Sequence, residues 1–144
     1  MIKFIPWAKP DLNSIDKKYL IKAFNSNWIS GGSFVKNLEK SVSKFVNSKY
    51  AISVNNGTSA IDLIYNSIGL KPGDEIIVPG YGYMAASNLA LQRGIKPIFC
   101  DVELDTFCID PKKLEKKISK KTKIIVAINT YGNVCKMNEI KKIA

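Results

Sequence analysis

The sequence contains no histidine, and this absence narrows the chemistry that the chain can perform. Serine and cysteine nucleophiles are commonly activated by a neighbouring imidazole, so Ser-His and Cys-His arrangements are excluded. Imidazole is also the commonest side-chain ligand of metals in proteins. We therefore predict no metal site, and any chemistry must rest on other groups.

Arginine is almost absent as well, since Arg93 is the only one among 22 basic residues in a chain of formal net charge +10. Such a charge allows a basic nucleic-acid-binding domain, but arginine is the preferred partner of phosphates and base edges. The lysines are therefore interpreted as solvated helix faces, and no nucleic-acid partner is predicted. A salt titration of DNA binding would separate the two interpretations, because several phosphate contacts weaken steeply with salt.

Cysteine is scarce, and Cys100, Cys108 and Cys135 show no C-x-x-C spacing, which indicates ordinary thiols rather than disulfides or zinc ligands. No apolar run is long enough to cross a bilayer, and the first residues lack the apolar centre of a signal peptide. We therefore expect a cytoplasmic chain with no membrane partner. With 144 residues, 46% of them hydrophobic, it is long enough for one domain at most.

What the sequence does contain is an alternation of helical and strand patterns. Apolar spacing predicts helices over residues 15–24 and 34–46, with a glycine-containing loop at residues 28–33 between them. Short apolar runs predict strands at residues 50–54, 75–78, 97–102 and 123–128, with helical segments between them. This order predicts an α/β fold, a parallel wound sheet with helices on both faces, whose ligands bind beyond the carboxyl ends of the strands.

The segment SVNNGTSAIDLIY, residues 53–65, allows two interpretations. Asn56-Gly57 is typical of a hairpin turn, but the apolar residues that follow have helical rather than alternating spacing. We therefore predict a strand, a tight turn and a helix, with Thr58 or Ser59 as the N-cap and Gly69 at the C-terminal end. The free N–H groups and the positive dipole end of this helix predict a phosphate site.

Several ordered motifs carry a resemblance to a known family: WISGGSFVKNLE, NNGTSAIDL, GLKPGDEIIVPGYGYMAASN, GIKPIFCDVELDTFCIDP, KTKIIVAINTYG and NVCKMNEI. With them, residues 5–144 resemble the N-terminal part of the DegT/StrS-like sugar aminotransferases. These enzymes use pyridoxal 5'-phosphate (PLP) to aminate keto sugars attached to nucleotides. The resemblance implies that residues 1–144 are the N-terminal part of the large domain of a fold-type-I PLP transferase, and that the intact protein is a homodimer.

The resemblance also assigns cofactor-binding residues. In the family, the turn that matches Gly57, Thr58 and Ser59 holds the cofactor phosphate, and an aromatic residue that matches Tyr83 stacks on the cofactor ring. A flat aromatic side chain suits that role because it orders a ring at little entropic cost. The alternative, from the residues alone, is that Tyr81 and Tyr83 are loop aromatics packed on the core.

Two positions depart from the family pattern. Gly82 stands where many members have threonine, and Asn129 stands where many have histidine, so no side-chain hydrogen bond is carried over to either position. The aspartates Asp101, Asp105 and Asp110 are interpreted as structural, because aspartate at turns and helix N-caps already explains them.

The resemblance further implies a Schiff-base lysine and an aspartate that pairs with the pyridine nitrogen, and both match positions beyond residue 144. No catalytic residue is therefore assigned, and the chain is interpreted as a fragment that is inactive alone. The implied reaction of the intact protein transfers an amino group, with glutamate as donor, to a nucleotide-linked 4-keto-6-deoxy sugar. The WISGGSFV loop, which resembles that of perosamine-type enzymes, favours the 4-keto position. A PLP-dependent sugar dehydrase and a non-catalytic PLP-binding fragment stay open as alternatives.

Overall fold

The structure, a computed structural model, describes Phe4, Pro6 and residues 8–28 and 30–144. It divides into two compact units, Met1–Ser53 and Val54–Ala144. Within the described part of the chain, no helix combines the length and the apolar character needed to span a bilayer. The same residues contain no group of three or more acidic or cysteine side chains that could hold a metal ion.

The first unit contains two helices, α1 (Ser14–Asn25) and α2 (Ser33–Phe45), which confirms both predicted helices. A capping box between Asn13 and Asp16 starts α1. Gly32 precedes α2 with a φ of +84°, and a Cβ there would lie 2.7 Å from the Trp28 ring, so only glycine fits. Ile29, in the predicted loop, lies outside the described residues.

The predicted strand at residues 50–54 is wrong, because these residues have no regular secondary structure. A strand requires a neighbour that pairs with its backbone N–H and C=O groups, and no described strand pairs with this segment. This segment instead hydrogen-bonds to a side chain. The carboxylate of Glu39 accepts hydrogen bonds from the N–H and the hydroxyl of Ser53 at 2.9 and 3.0 Å. These two bonds lower the pKa of Glu39 below its usual range.

The second unit contains the sheet and its helices: α3 (Gly57–Ile68), β1 (Glu75–Pro79), α4 (Ala85–Gln92), β2 (Lys96–Cys100), α5 (Pro111–Leu114), β3 (Thr122–Ile125) and α6 (Met137–Ile143). The strands are parallel in the order β2-β1-β3, which confirms the other three predicted strands. β3 ends earlier than predicted, after Ile125 pairs with Ile77. The next bond of that ladder would need an N–H at Pro79, which proline lacks.

Alternate residues of β1 bury into two separate cores, one on each face of the sheet. Ile76 and Val78 pack with residues of α3 and α4, namely Tyr65, Ala86 and Ala90. Ile77 packs on the other face with Cys100, Cys108, Ile109, Leu114, Cys135 and Ile140. Because a strand buried on both faces needs cover from two layers, this confirms helices on both faces of a parallel sheet.

Candidate functional site

A cavity of about 520 Å³ lies between the start of α3 and the segment that follows β1. It is lined by Thr58 of α3, by Gly82, Tyr83 and Met84, and by one face of α4 (Ala85, Asn88, Leu89 and Gln92). The cavity therefore brings together the start of α3, predicted to bind the cofactor phosphate, and the segment with Tyr83, predicted to stack on the cofactor ring. None of the lining side chains carries a charge, so an anion in this cavity would depend on neutral donors and on the dipole of α3.

The start of α3 differs from the prediction in its cap. The N-cap is Asn56 rather than Thr58 or Ser59, and its side-chain oxygen accepts the N–H of Ser59 at 2.8 Å. Asparagine caps as well as serine or threonine, and the helix starts at Gly57, so the residue just before it takes the role. The N–H groups of Gly57 and Thr58 donate to no described residue. Gly69 ends the helix at a φ of +73°, which confirms that prediction.

The predicted phosphate residues differ in accessibility. Gly57 and Thr58 are exposed, and no atom lies within 4 Å of a Cβ built on Gly57. Ser59 is half-buried and does not line the cavity, and its N–H is already bonded to Asn56. Of the three residues, Gly57 and Thr58 therefore carry the free backbone N–H groups.

Tyr83 is 86% exposed beside the cavity. It is not packed on the core, in contrast to the alternative interpretation of its role. Gly82 precedes it with a φ of +149°, and a Cβ there would lie 3.0 Å from Cδ1 of Ile128. Asn129 has a structural bond, because its side-chain oxygen accepts the N–H of Cys135 at 3.0 Å.

Tyr81, Phe107 and Tyr131 form what we call the aromatic cluster, with one ring from the segment after each strand. The ring centroids lie 5.4, 6.3 and 6.2 Å apart in the three pairs. The hydroxyl oxygens of Tyr81 and Tyr131 lie 2.5 Å apart and share a hydrogen bond. That bond, with a smaller effect of burial, raises the pKa of Tyr81 above its usual range. The sequence pattern places residues 129–132 at the carboxyl end of a strand, but it assigns no role to Tyr131 or Phe107.

Two contacts join α3 to the α4 segment. Arg93, just after α4, forms an ion pair with Asp62 and donates a hydrogen bond to the side-chain oxygen of Asn66 at 2.8 Å. The buried hydroxyl of Tyr65 donates to the backbone carbonyl of Ala86 at 3.1 Å. The sequence held one signal for the first contact, since Arg93 is the only arginine, but it did not indicate the partners.

Two of the three aspartates after β2, Asp101 and Asp110, have structural contacts. Asp110 caps α5, where it accepts the N–H of Lys112 at 2.9 Å. Asp101 binds the ammonium of Lys113 at 2.5 Å, and this bond, with the N–H of Val102, holds the pKa of Asp101 below its usual range. The cysteine thiols are buried, and burial together with a hydrogen bond with Cys108 raises the pKa of Cys135 to about 11.

Comparison with known proteins gives consistent matches over most of the chain. A model of the DegT/DnrJ/EryC1/StrS aminotransferase family matches residues 10–144. GDP-perosamine synthase of Vibrio cholerae is 33% identical over 138 residues, which cover 95% of this chain and 38% of that protein. The chain therefore spans little more than a third of the length of this relative.

Solved structures match in backbone as well. Spr1654 from Streptococcus pneumoniae, in its PMP-form, has a TM-score of 0.90 and 31% identity, covering 96% of this chain and 35% of that chain. GDP-4-keto-6-deoxymannose-3-dehydratase with a trapped PLP-glutamate geminal diamine has a TM-score of 0.91 and 30% identity, with coverage of 96% and 37%. These matches confirm the predicted fold class, a parallel sheet with helices of the fold-type-I PLP enzymes.

Proposed function

Because the chain belongs to the DegT/DnrJ/EryC1/StrS aminotransferase family, we propose that the intact protein is a PLP-dependent aminotransferase of a nucleotide-linked keto sugar. Residues 1–144 are, in this proposal, the N-terminal part of its large domain. The observation that carries the proposal is the cavity lined by both Thr58 and Tyr83. One of these residues starts a helix with free N–H groups, and the other presents an exposed aromatic ring.

The residues around the cavity fit a phosphate and a flat ring. The N–H groups of Gly57 and Thr58 have no described partner, and the positive end of α3 favours an anion beside them. No acidic side chain lines the cavity to oppose a phosphate. We assign phosphate binding to Gly57, Thr58 and Ser59, with the backbone N–H of Ser59 able to donate only if its bond to Asn56 is released.

Tyr83 is assigned to the ring of the cofactor. Its exposed face offers a stacking surface, and aromatic stacking orders a ring without a charged partner. When bound, PLP supplies the electron sink through which an amino group passes between an amino acid and a keto sugar. The resemblance implies a Schiff-base lysine and an aspartate that pairs with the pyridine nitrogen, and we assign both to the rest of the intact protein. The role proposed for residues 1–144 is to bind and orient the cofactor.

The substrate we propose is a 4-keto-6-deoxy sugar on a nucleotide, with glutamate as the amino donor. The names of two relatives support these assignments, a GDP-perosamine synthase and a GDP-4-keto-6-deoxymannose-3-dehydratase with a PLP-glutamate adduct. The second name also favours a sugar dehydrase as the alternative reaction. We place the intact enzyme in the cytoplasm, where nucleotide sugars are made.

One experiment separates the two reactions. The intact protein is incubated with PLP, GDP-4-keto-6-deoxymannose and glutamate that carries an isotopic label on its amino nitrogen, and the sugar product is identified by mass spectrometry. Transamination leaves the labelled nitrogen on the sugar, whereas dehydration removes a hydroxyl and leaves no nitrogen there. A sugar that is unchanged after long incubation would contradict the proposed substrate.

We also propose that the intact protein is a homodimer. α2 and the residue that follows it, Val46, present large apolar side chains to solvent, among them Phe45, which is 91% exposed, and Leu38 and Val42. Exposed apolar area of this kind is typical of a surface that another subunit or segment covers. Light scattering of the intact protein tests the assignment, and a monomer at assay concentration would contradict it.

A further inference from the structure

We propose that Tyr131 is a positioning residue for the cofactor ring, because through Tyr81 it fixes the segment that presents Tyr83 to the cavity. The inference rests on the proposed function, since it concerns the same site. It extends that function to a residue outside the cavity lining.

The backbone of the aromatic cluster is the first observation. Four non-glycine residues in the described part of the chain have a positive φ: Asn27, Asn47, Phe107 and Tyr131. Asparagine tolerates this conformation, whereas for an aromatic residue it is uncommon and strained. Both aromatic residues, at φ of 57° and 54°, belong to the cluster. Strained conformations persist only where the surrounding structure fixes them, and they concentrate at functional sites.

Polar contacts fix the strained segments that contain Phe107 and Tyr131. The hydroxyl of the buried Thr130 donates to the carbonyl of Phe107 at 3.1 Å, so the segments after β2 and β3 are joined. The side-chain amide of Asn133 donates to the carbonyl of Thr106 at 3.0 Å across the same two segments. These two bonds fix the segment that contains Tyr131 against the segment after β2. The Tyr131 hydroxyl bonds in turn to Tyr81, which lies in the segment after β1.

The route from Tyr131 to Tyr83 is short. Tyr81 shares its hydroxyl hydrogen bond with Tyr131 and packs on Phe107, and only Gly82 separates it from Tyr83. Ile128 packs beside Gly82, since its Cδ1 lies 3.0 Å from the position that a Cβ on Gly82 would occupy. No hydrogen bond of the Tyr83 hydroxyl to a described residue is recorded, and its ring is mostly exposed, so its place depends on the backbone before it.

The test uses the intact protein with Tyr131→Phe and Tyr81→Phe, each of which removes one oxygen and keeps the ring. We expect PLP to dissociate about fivefold more readily in either variant, since one hydrogen bond is lost. We also expect a weaker visible circular dichroism band per mole of bound cofactor, a readout that lower occupancy alone does not change. Because both changes break the same bond, the double variant should be no worse than either single one. Tyr50→Phe is the matched control, since Tyr50 is 73% exposed and no bond of its hydroxyl to a described residue is recorded.

A double-mutant cycle shows whether Tyr131 acts through Tyr83. In a Tyr83→Ala background, Tyr131→Phe should change neither PLP retention nor the dichroism band any further. Equal retention and an equal band in Tyr131→Phe and wild type would overturn the inference while leaving the proposed function intact, and so would additive effects in the cycle. A wild-type protein that retains no PLP would instead overturn the proposed function, and this inference with it.

Discussion

The guanidinium of Arg93 binds the carboxylate of Asp62, and this ion pair ties the end of α4 to the middle of α3. The same guanidinium also donates to Asn66, one turn further along α3. Both helices line the candidate cavity, α3 through Thr58 and α4 through Asn88 and its neighbours. The distance between the two cavity walls therefore depends in part on this contact outside the cavity.

Replacing Arg93 by methionine should lower the free energy of unfolding by about 1–2 kcal/mol, because a partly buried ion pair and a hydrogen bond are lost together. Urea denaturation of the intact protein measures the change. The matched control is Lys113→Met, which breaks an ion pair with Asp101 whose two side chains are 51% and 66% exposed. That control should lower the free energy of unfolding less than Arg93→Met does, because water screens an exposed ion pair. Equal losses in the two variants would contradict a special role for Arg93.

Asn56 allows the cap of α3 to be separated from anion binding. Asn56→Ala should lower the free energy of unfolding by about 1 kcal/mol, since the N–H of Ser59 loses its side-chain acceptor. Asn56→Asp should keep the cap and the stability, because aspartate caps equally well and its charge suits a helix N-terminus. The added charge should nevertheless weaken PLP retention on the order of tenfold at low salt, through repulsion of the phosphate. Full retention in Asn56→Asp would mean that the phosphate does not bind at α3.

The sequence predicted secondary structure best for segments whose conformation depends mainly on their own residues. The buried run at β1 and the helical spacing after Gly57 predicted strand and helix correctly, because the pattern and the packing partner agree. The segment at residues 50–54 has an equally apolar pattern, but a strand also needs a neighbour, which a local pattern cannot show. The hydrogen-bonding partners of the Arg93 and Tyr131 side chains lie at least 27 residues away in sequence, so no local spacing could indicate them.

The family resemblance and the physical pattern contributed differently to the candidate site. Free N–H groups at the start of α3 follow from the strand, turn and helix pattern, whereas the choice of Tyr83 over Tyr81 came from the resemblance alone. The structure separates these two tyrosines in a way that composition could not, since Tyr81 is in the aromatic cluster and Tyr83 lines the cavity. Asn56 was missed as the cap because Asn-Gly pairs are associated with turns more strongly than with helix starts.

Gly82 should tolerate no side chain. Gly82→Ala should lower the free energy of unfolding by about 1–3 kcal/mol, because its φ of +149° is strained for alanine and the new Cβ contacts Ile128. Gly57→Ala is the control, since no atom lies within 4 Å of its Cβ position, and it should change stability by at most about 0.5 kcal/mol. Adding Ile128→Val to Gly82→Ala should recover only the steric part of the loss. Denaturation midpoints that match for the two glycine variants would contradict the assigned strain.

The hydrogen bond between Tyr81 and Tyr131 predicts a dependence on alkaline pH. The pKa of Tyr81 is raised above its usual value of 10.0, so the folded protein holds this proton more tightly than the unfolded chain. The resulting stabilisation is therefore present below pH 10 and is lost as the pH rises through the folded-state pKa. Ultraviolet titration of wild type should show two tyrosines whose pKa lies above the usual value, Tyr81 through this hydrogen bond and Tyr65 through burial, and Tyr131→Phe should return only the pKa of Tyr81 toward that value. An unchanged titration curve in that variant would show that the bond does not form in solution.

The last prediction concerns the division of work between this chain and the rest of the intact protein. Residues 1–144 expressed alone should give no aminated sugar above a cofactor-only blank, because no lysine among them matches the family position that carries the cofactor. Exposed lysines can still react with PLP without specificity, so the assay must follow the sugar product rather than cofactor binding. In the intact protein, Tyr83→Ala should weaken PLP retention about fivefold, since a stacking contact contributes on the order of 1 kcal/mol. Tyr83→Phe should keep retention close to wild type, because stacking uses the ring and not the hydroxyl. Turnover by residues 1–144 alone would require a catalytic residue within them, and undiminished retention in Tyr83→Ala would assign the ring to another side chain.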